Sequence, residues 1–144
     1  MKERLLKNRE IIWKIAGIAY SLVLCTINFL RIFDNNFWGD EAFSVGLARM
    51  NFWEMISETA MDVHPPLHYI VEMVLYRVFG DHGWVYHMGA FIPYGLALIF
   101  IMTVIWKRFG KEVAFLMVTF TSILSISVQY NVEVRMYSLA AFLF

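Results

Sequence analysis

Residues 36–69, NFWGDEAFSVGLARMNFWEMISETAMDVHPPLHY, decide how the rest of the chain is read. This is the one long segment that is not simply apolar. It carries Asp40, Glu41, Glu54, Glu58, Asp62, His64 and His68. Long apolar segments flank it on both sides. Carboxylates and imidazoles gathered between segments of membrane length point to chemistry at a membrane surface.

The composition sets that frame. Of 144 residues, 60% are apolar and 17% aromatic, and the mean hydropathy is +0.58. A soluble domain of this composition would expose too much apolar surface, whereas a polytopic membrane protein would not. The formal net charge is zero, but the charges are segregated. Residues 1–14 hold five cations (Lys2, Arg4, Lys7, Arg9, Lys14) against two anions, and residues 34–83 hold eight anions against Arg49 and Arg77. No basic patch lies outside the membrane flanks, which argues against nucleic-acid binding. The single Cys25 lies in an apolar span and makes no internal disulfide.

Upstream of the acidic stretch, residues 11–33 form a 23-residue apolar run. At 1.5 Å per residue it spans about 34 Å, enough for a bilayer core of about 30 Å. It is too long for a signal peptide and has no small-residue cleavage site before Asp34. It reads as a retained span whose basic head stays cytoplasmic. Lys14 and Arg31 can snorkel at its two ends. Downstream, residues 84–106 form a second span with Pro93 as a candidate kink. Lys107, Arg108 and Lys111 make a basic turn. Residues 113–130 form a third span, and a further apolar helix begins at Met136.

The acidic segment, 34–83, is expected to carry short helices lying on the membrane. Asp40 can cap a helix running to about Met50, with Phe43, Leu47 and Met50 on one face. Asn51 followed by Glu54 resembles a capping box for a second helix ending near Thr59. Trp38, Phe52 and Trp53 suit a headgroup layer. Residues 67–79 are apolar but span only about 20 Å as a helix, and His68, Glu72 and Tyr76 form a stripe at i, i+4, i+8. This helix is expected not to cross; were it to cross, the Lys107–Lys111 turn would lie outside and Arg135 inside. Without that crossing the spans run in-to-out, out-to-in and in-to-out. That order leaves Lys107–Lys111 cytoplasmic and returns residues 131–135 to the side of Asp40, in agreement with the charge bias.

Each polar motif has two readings. Asp40-Glu41 can do acid–base work or hold a cation, or it can simply complement a helix N-terminus. Asp62-Val63-His64-Pro65-Pro66 can hold an imidazole at a defined height, with Asp62 nearby, or be a rigid turn. Arg135, in Glu133-Val134-Arg135-Met136-Tyr137, can pair with Glu133, snorkel, or bind a phosphate in bidentate fashion. His82 and His87 have no ligand spacing. There is no Gly-rich nucleotide loop, Cys-rich metal cluster or serine elbow. An enzyme of this kind would take a substrate already in the membrane.

Taken in order, W-G-D-E-A-F-S (Trp38–Ser44), D-V-H-P-P-L-H-Y (Asp62–Tyr69), F-G (Phe79-Gly80), K-R-F-G-K (Lys107–Lys111) and Y-N-V-E-V-R-M-Y-S-L (Tyr130–Leu139) resemble the amino-terminal part of the polyprenyl-phosphate-sugar-dependent membrane glycosyltransferases. These include protein O-mannosyltransferases and aminoarabinose transferases, in a family-39-like group. The resemblance implies an all-α, polytopic membrane bundle of GT-C type, with short interfacial helices in its first external loop. Family members are several times longer, so the chain would be the front of one transmembrane domain, with a cut helix from Met136. The resemblance implies Asp40 as catalytic base with Glu41 supporting it. It places His64 in the cavity wall, and Arg135 and Tyr137 at the cavity edge as contacts for donor phosphate or sugar.

The implied partners are a polyprenyl-phosphate-linked sugar, a hydroxyl acceptor (lipid, glycan or protein) and the bilayer. The implied setting is a bacterial or archaeal plasma membrane. No cofactor is required by the motifs, and a divalent cation is compatible with them. The chemistry would be inverting transfer on the extracytoplasmic side. Alternatives are a non-catalytic binding or assembly module and, more remotely, an ion-translocating protein, for which the spans lack paired ionisable residues near their centres.

Overall fold

A computed structural model describes residues 2–33, 36–61 and 64–144. Asp62, placed beside His64 by the sequence reading, lies outside the described residues. Among those described, the secondary structure is entirely helical. Helix α1 covers Lys2–Leu30 and ends in a 3-10 turn, Arg31–Phe33. Two short helices follow, α2 (Gly39–Arg49) and α3 (Phe52–Ala60). Helix α4 covers Leu67–Phe79. Helix α5 (Gly83–Phe100) continues through a π-helical turn, Ile101–Ile105, into α6 (Trp106–Phe109). Helices α7 (Lys111–Ile123), α8 (Ser125–Tyr130) and α9 (Tyr137–Leu143) complete the chain.

Two segments, Asn8–Phe33 and Gly83–Phe109, are long and apolar enough to cross a membrane. The 27-residue second segment is about 40 Å long. The chain passes through Pro93 in helix, and the hydrogen-bonding irregularity comes later, at the π-helical turn. The third expected span, 113–130, is broken. Leu124 takes ψ 134, which ends α7 after 13 residues and restarts the chain as α8. Helix α7 alone covers about 20 Å, short of a bilayer core. Helices α4 and α6 both stop at glycines with positive φ, Gly80 at 86° and Gly110 at 90°, a backbone that residues with a Cβ rarely adopt.

Helix α5 is the axis of the packing. Helices α1, α4 and α9 lie against it, and α1 also packs on α7. Leu24, Tyr94, Leu98, Ala114 and Val118 form the core between α1, α5 and α7. A buried polar knot sits at one end of that core. Asn28 Nδ2 donates to the Leu24 carbonyl (3.0 Å) and the Ser122 carbonyl (3.2 Å), and Tyr94 donates to Ser122 Oγ (2.8 Å). A second core joins α2 to α5 and the 131–136 turn through Val45, Ala48, Tyr86 and Val134. A third, of Leu47, Met55, Tyr69 and Met73, joins α2, α3 and α4.

Several local expectations hold. Asn51 Oδ1 accepts from Glu54 N at 3.0 Å and caps α3, and α4 has the expected bounds. Others are corrected. Asp40 does not cap α2. The cap residue is Trp38, whose N–H donates to Glu41 Oε2 at 3.3 Å, and Asp40 sits in the first turn. The buried face of α2 is Glu41, Ser44, Val45, Leu47 and Ala48, while Phe43 and Met50 face outward. Arg31 donates to the Val128 carbonyl, and so holds α8.

The two ends of α5 differ in character. Asp81, paired with Arg49 at 2.7 Å, stands just before the first residue of α5, and Lys111 follows the last residues of the α5–α6 rod. In a bilayer, with Cys25→Ser as background, Asp81→Cys and Lys111→Cys are expected to react with a membrane-impermeant maleimide from opposite faces of sealed vesicles. Labelling of both from one face would show that the rod does not cross.

Candidate functional site

The acidic segment reaches its partners because α2 is pinned at both ends. At its C-terminal end Arg49 Nη2 meets Asp81 Oδ1 (2.7 Å), and Tyr86 donates to the same oxygen (2.8 Å). At its N-terminal end Glu41, only 4% exposed, uses both carboxylate oxygens. Oε2 accepts from Trp38 N–H, and Oε1 accepts from Val134 N–H at 2.8 Å, across 93 residues of sequence. A buried carboxylate accepting backbone N–H groups makes charge-assisted bonds, stronger than neutral ones. Glu41 is therefore a clamp between the first polar segment and the last.

The clamp brings Arg135 onto the site. Its Nη2 lies 3.2 Å from His64 Nε2 and 3.7 Å from Asp40 Oδ2. A guanidinium only donates, so the Nε2 lone pair of His64 faces it and the ring proton sits on Nδ1. The guanidinium is almost wholly buried, at 6% exposed, and the Asp40 side chain is half open, at 55%. Asp40 thus presents a reachable carboxylate beside a fixed cation. Three of the five residues singled out from the sequence, Asp40, His64 and Arg135, converge on one point, and Glu41 holds them there. Tyr137 is elsewhere. Its ring packs on Tyr130 with centroids 4.4 Å apart. It lines a 250 Å³ cavity with Tyr94, Ala97 and Asn131.

The turn that carries Arg135 is held from several sides. His87 Nδ1 donates to the Val132 carbonyl at 2.6 Å, and its ring stacks on Phe37 at 5.3 Å. Glu133 Oε2 accepts from Gln129 Nε2 at 2.9 Å. Burial, reinforced by the nearby charges of Glu41 and Asp40, raises the Glu133 carboxyl above its ordinary value against the pull of Gln129 and Arg135. Arg31, Trp38, Glu41, His87 and Glu133 line a cavity of 240 Å³ next to this turn. Among the described residues no group of His, Cys, Asp and Glu has the geometry of a metal site.

Behind Arg135 lies a pair not singled out from the sequence. The stripe of α4 turns inward, so His68 and Glu72 are buried, at 1% and 0% exposed. His68 Nε2 is 3.8 Å from Glu72 Oε1, beyond hydrogen-bond reach. Burial is the main cause that lowers His68 to about 4. The Val134 backbone opposes that shift and the Arg135 charge adds to it. Burial alone raises the Glu72 carboxyl well above its ordinary value. Both shifts favour the uncharged forms, imidazole and carboxylic acid. Glu72 fits because Gly89 faces it on α5. A Cβ at Gly89 would overlap the Glu72 carboxyl. The i, i+4 spacing was visible in the sequence, but nothing there said that Gly89 would face Glu72.

Two outcomes follow. His68 binds a proton more readily in the unfolded chain, at about 6.5, so its contribution to stability falls as pH drops from there toward 4. Glu72 keeps a proton in the fold that the unfolded chain loses above about 4.3, so its contribution falls as pH rises. Glu72→Gln, a neutral isostere, is expected to stabilise the fold against the parent. The gap should widen by up to about 1.4 kcal/mol per pH unit above that value, as measured by thermal unfolding in detergent from pH 5 to 8. A gap independent of pH would mean that Glu72 is ionised in the fold. Gly89→Ala is expected to cost about 1–3 kcal/mol in the same assay, and less when combined with Glu72→Ala.

Comparison of the chain with protein-family models, with curated proteins and with solved structures found no match in any of the three.

Proposed function

We propose that this chain forms the front of a membrane-embedded glycosyltransferase, which moves a sugar from a polyprenyl-phosphate donor to a hydroxyl acceptor with inversion at the anomeric carbon. One observation carries the reading. The half-exposed Asp40 carboxylate and the His64 ring each lie within 4 Å of the buried Arg135 guanidinium, and so join the acidic segment to the polar turn at 131–135. The apolar faces support a bilayer setting. Ile12, Ile15, Leu22, Val23 and Leu30 of α1 and Leu96, Ile99 and Phe100 of α5 are exposed, and only about a third or less of each membrane-length segment is buried.

In this reading Asp40 accepts the proton of the acceptor hydroxyl as its oxygen bonds to the anomeric carbon. The bond from that carbon to the phosphate oxygen breaks, and its electron pair leaves with the polyprenyl phosphate. Arg135 stabilises the charge growing on the phosphate, from a water-poor position where such a charge counts most. Its neighbour Asp40 loses a partner as the phosphate gains one, so the Arg135–Asp40 ion pair is exchanged, not simply broken. His64 holds the same guanidinium nitrogen, Nη2, that faces Asp40. Sidedness, with the amino terminus in the cytoplasm and Asp40 outside, belongs to the same proposal and follows the basic clusters at one end of α1 and α5.

A second reading has its own observation. Asp40 and His64 both pair with the one guanidinium of Arg135, as they would in a non-catalytic assembly module. The test separates the two. With polyprenyl-phosphate hexose and membranes containing the whole protein, Asp40→Asn is expected to lower transfer by about 10²–10⁴-fold while leaving the amount of folded protein unchanged. Arg135→Lys, which keeps the charge but loses the planar fork, is expected to lower it less than Arg135→Gln. Undiminished transfer by Asp40→Asn would remove the catalytic reading, and absence of transfer by the parent would favour the assembly module.

A further inference from the structure

We propose that the basic end of the bundle, remote from Asp40, holds the phosphate headgroup of an anionic phospholipid whose acyl chain lies in the furrow between α1 and α5. Two adjoining cavities carry this. The first, of 890 Å³, is lined by Arg9, Lys14, Lys107 and Lys111 together with Trp13 and Trp106. Glu10 and Glu112 also line it, at 3.3 Å from Lys14 and 3.8 Å from Lys111, so four cations face two carboxylates and the cavity stays basic. Lys111 Nζ stands 4.7 Å above the Trp13 ring, which keeps one ammonium over the cavity wall.

The second cavity, of 520 Å³, is an apolar furrow lined by Ile18, Leu22, Phe91, Leu96 and Ile99. Met102 and Thr103 line both cavities, so the basic cup and the furrow adjoin at these residues. The packing that separates their walls is tight. A Cβ on Gly17 would lie 2.7 Å from Met102 Cε and 2.7 Å from Trp106, so α1 meets the far end of the α5–α6 rod there through a bare glycine. Free phosphate would use the cup alone. An anionic lipid uses both parts, with cations and tryptophans at the headgroup level and apolar side chains along the tail. Basic pockets between membrane helices are suited to such headgroups.

The inference needs α1 and α5 to lie in a bilayer and does not need sugar transfer. Its test uses the full chain with Trp38→Phe, Trp53→Phe and Trp84→Phe, which leaves Trp13 and Trp106 as the fluorophores. The chain is reconstituted in phosphatidylcholine vesicles carrying a minor fraction of brominated phosphatidylglycerol or, in parallel, the same fraction of brominated phosphatidylcholine. The anionic lipid is expected to quench at a severalfold lower mole fraction. Lys107→Gln and Lys111→Gln are each expected to reduce that preference about fivefold, the equivalent of about 1 kcal/mol per cation. Gly95→Leu fills the furrow at a point where a Cβ meets nothing within 4 Å, and is expected to weaken quenching by the anionic lipid. Equal quenching by the two lipids would overturn the proposal, as would a preference that survives the charge variants. Loss of the preference on adding inorganic phosphate, with chloride as the matched control, would assign the cup to free phosphate. Quenching by neither lipid would overturn the proposal together with the bilayer setting. Unchanged helical circular dichroism is the control for folding, and the surface lysine variants decide the matter if Gly95→Leu does not fold.

Discussion

The hydrogen bond from Val134 N–H to Glu41 is the constraint on which the site depends. It is short, buried and charge-assisted, and it joins residues 93 apart in sequence. Without it the turn at 131–136 would still touch α5 through His87 and Val132 and α2 through Val134 and Arg135, but the directional bond that sets its height against α2 would be gone. With it, Arg135 is carried to Asp40 and His64. Glu41 thus separates two roles that adjacent carboxylates could have shared. One is fully engaged with backbone and sets geometry. The other is half exposed and keeps its oxygens accessible. A buried carboxylate with both oxygens engaged is poorly placed to move protons, and an open one is poorly placed to hold a fold together.

Polar groups deep in the packing follow the same logic with a different solution. The Asn28, Tyr94, Ser122 knot satisfies its donors within the bundle, as buried amides and hydroxyls require. Among the described residues the side chains of His68 and Glu72 have no hydrogen-bond partner, and a charged pair there would face the desolvation cost of two ions. Neutrality is the cheaper state, and the positive charge of Arg135 close to His68 favours it further. The burial of both groups favours an uncharged polar layer behind the arginine, whose guanidinium meets the Asp40 carboxylate on the open side.

The two ends of the α5–α6 rod divide the chemistry of the molecule. One end gathers carboxylates, imidazoles and a buried arginine on short helices and turns. The other gathers lysines, an arginine and two tryptophans around a cup. Between them the surfaces are almost purely apolar. This arrangement is what segregated charge on antiparallel helices produces. Charges clustered at alternate junctions of a chain that doubles back come together at two opposite ends.

Much of this was written in the chain itself. Apolar runs of 23 residues fix where helices of membrane length occur, because backbone polar groups in an apolar setting must be satisfied within the helix. The Asn51 cap and the bounds of α4 followed from side-chain chemistry over three or four residues. The order of the motifs led to the expectation that Asp40, His64 and Arg135 share a site, and the contacts of Arg135 with the other two come from the tertiary packing. Local rules failed where a distant residue competed. Asp40 looked like a cap, but the cap position falls to Trp38, because Glu41 can serve the Trp38 N–H and the Val134 N–H together. The third long apolar run looked continuous, yet Leu124 leaves the helix, and Arg31 and Asn131 hold the segment that follows. Only the tertiary structure decided that Gly89 would face Glu72, that Tyr137 would turn away to Tyr130, and that Lys107 and Lys111 would close a cup with Arg9 and Lys14. The physical reason is common to all three. Spacing along a helix says which residues share a face, but the partner of that face is chosen by packing between helices, where shape and desolvation act over distances that no local pattern encodes.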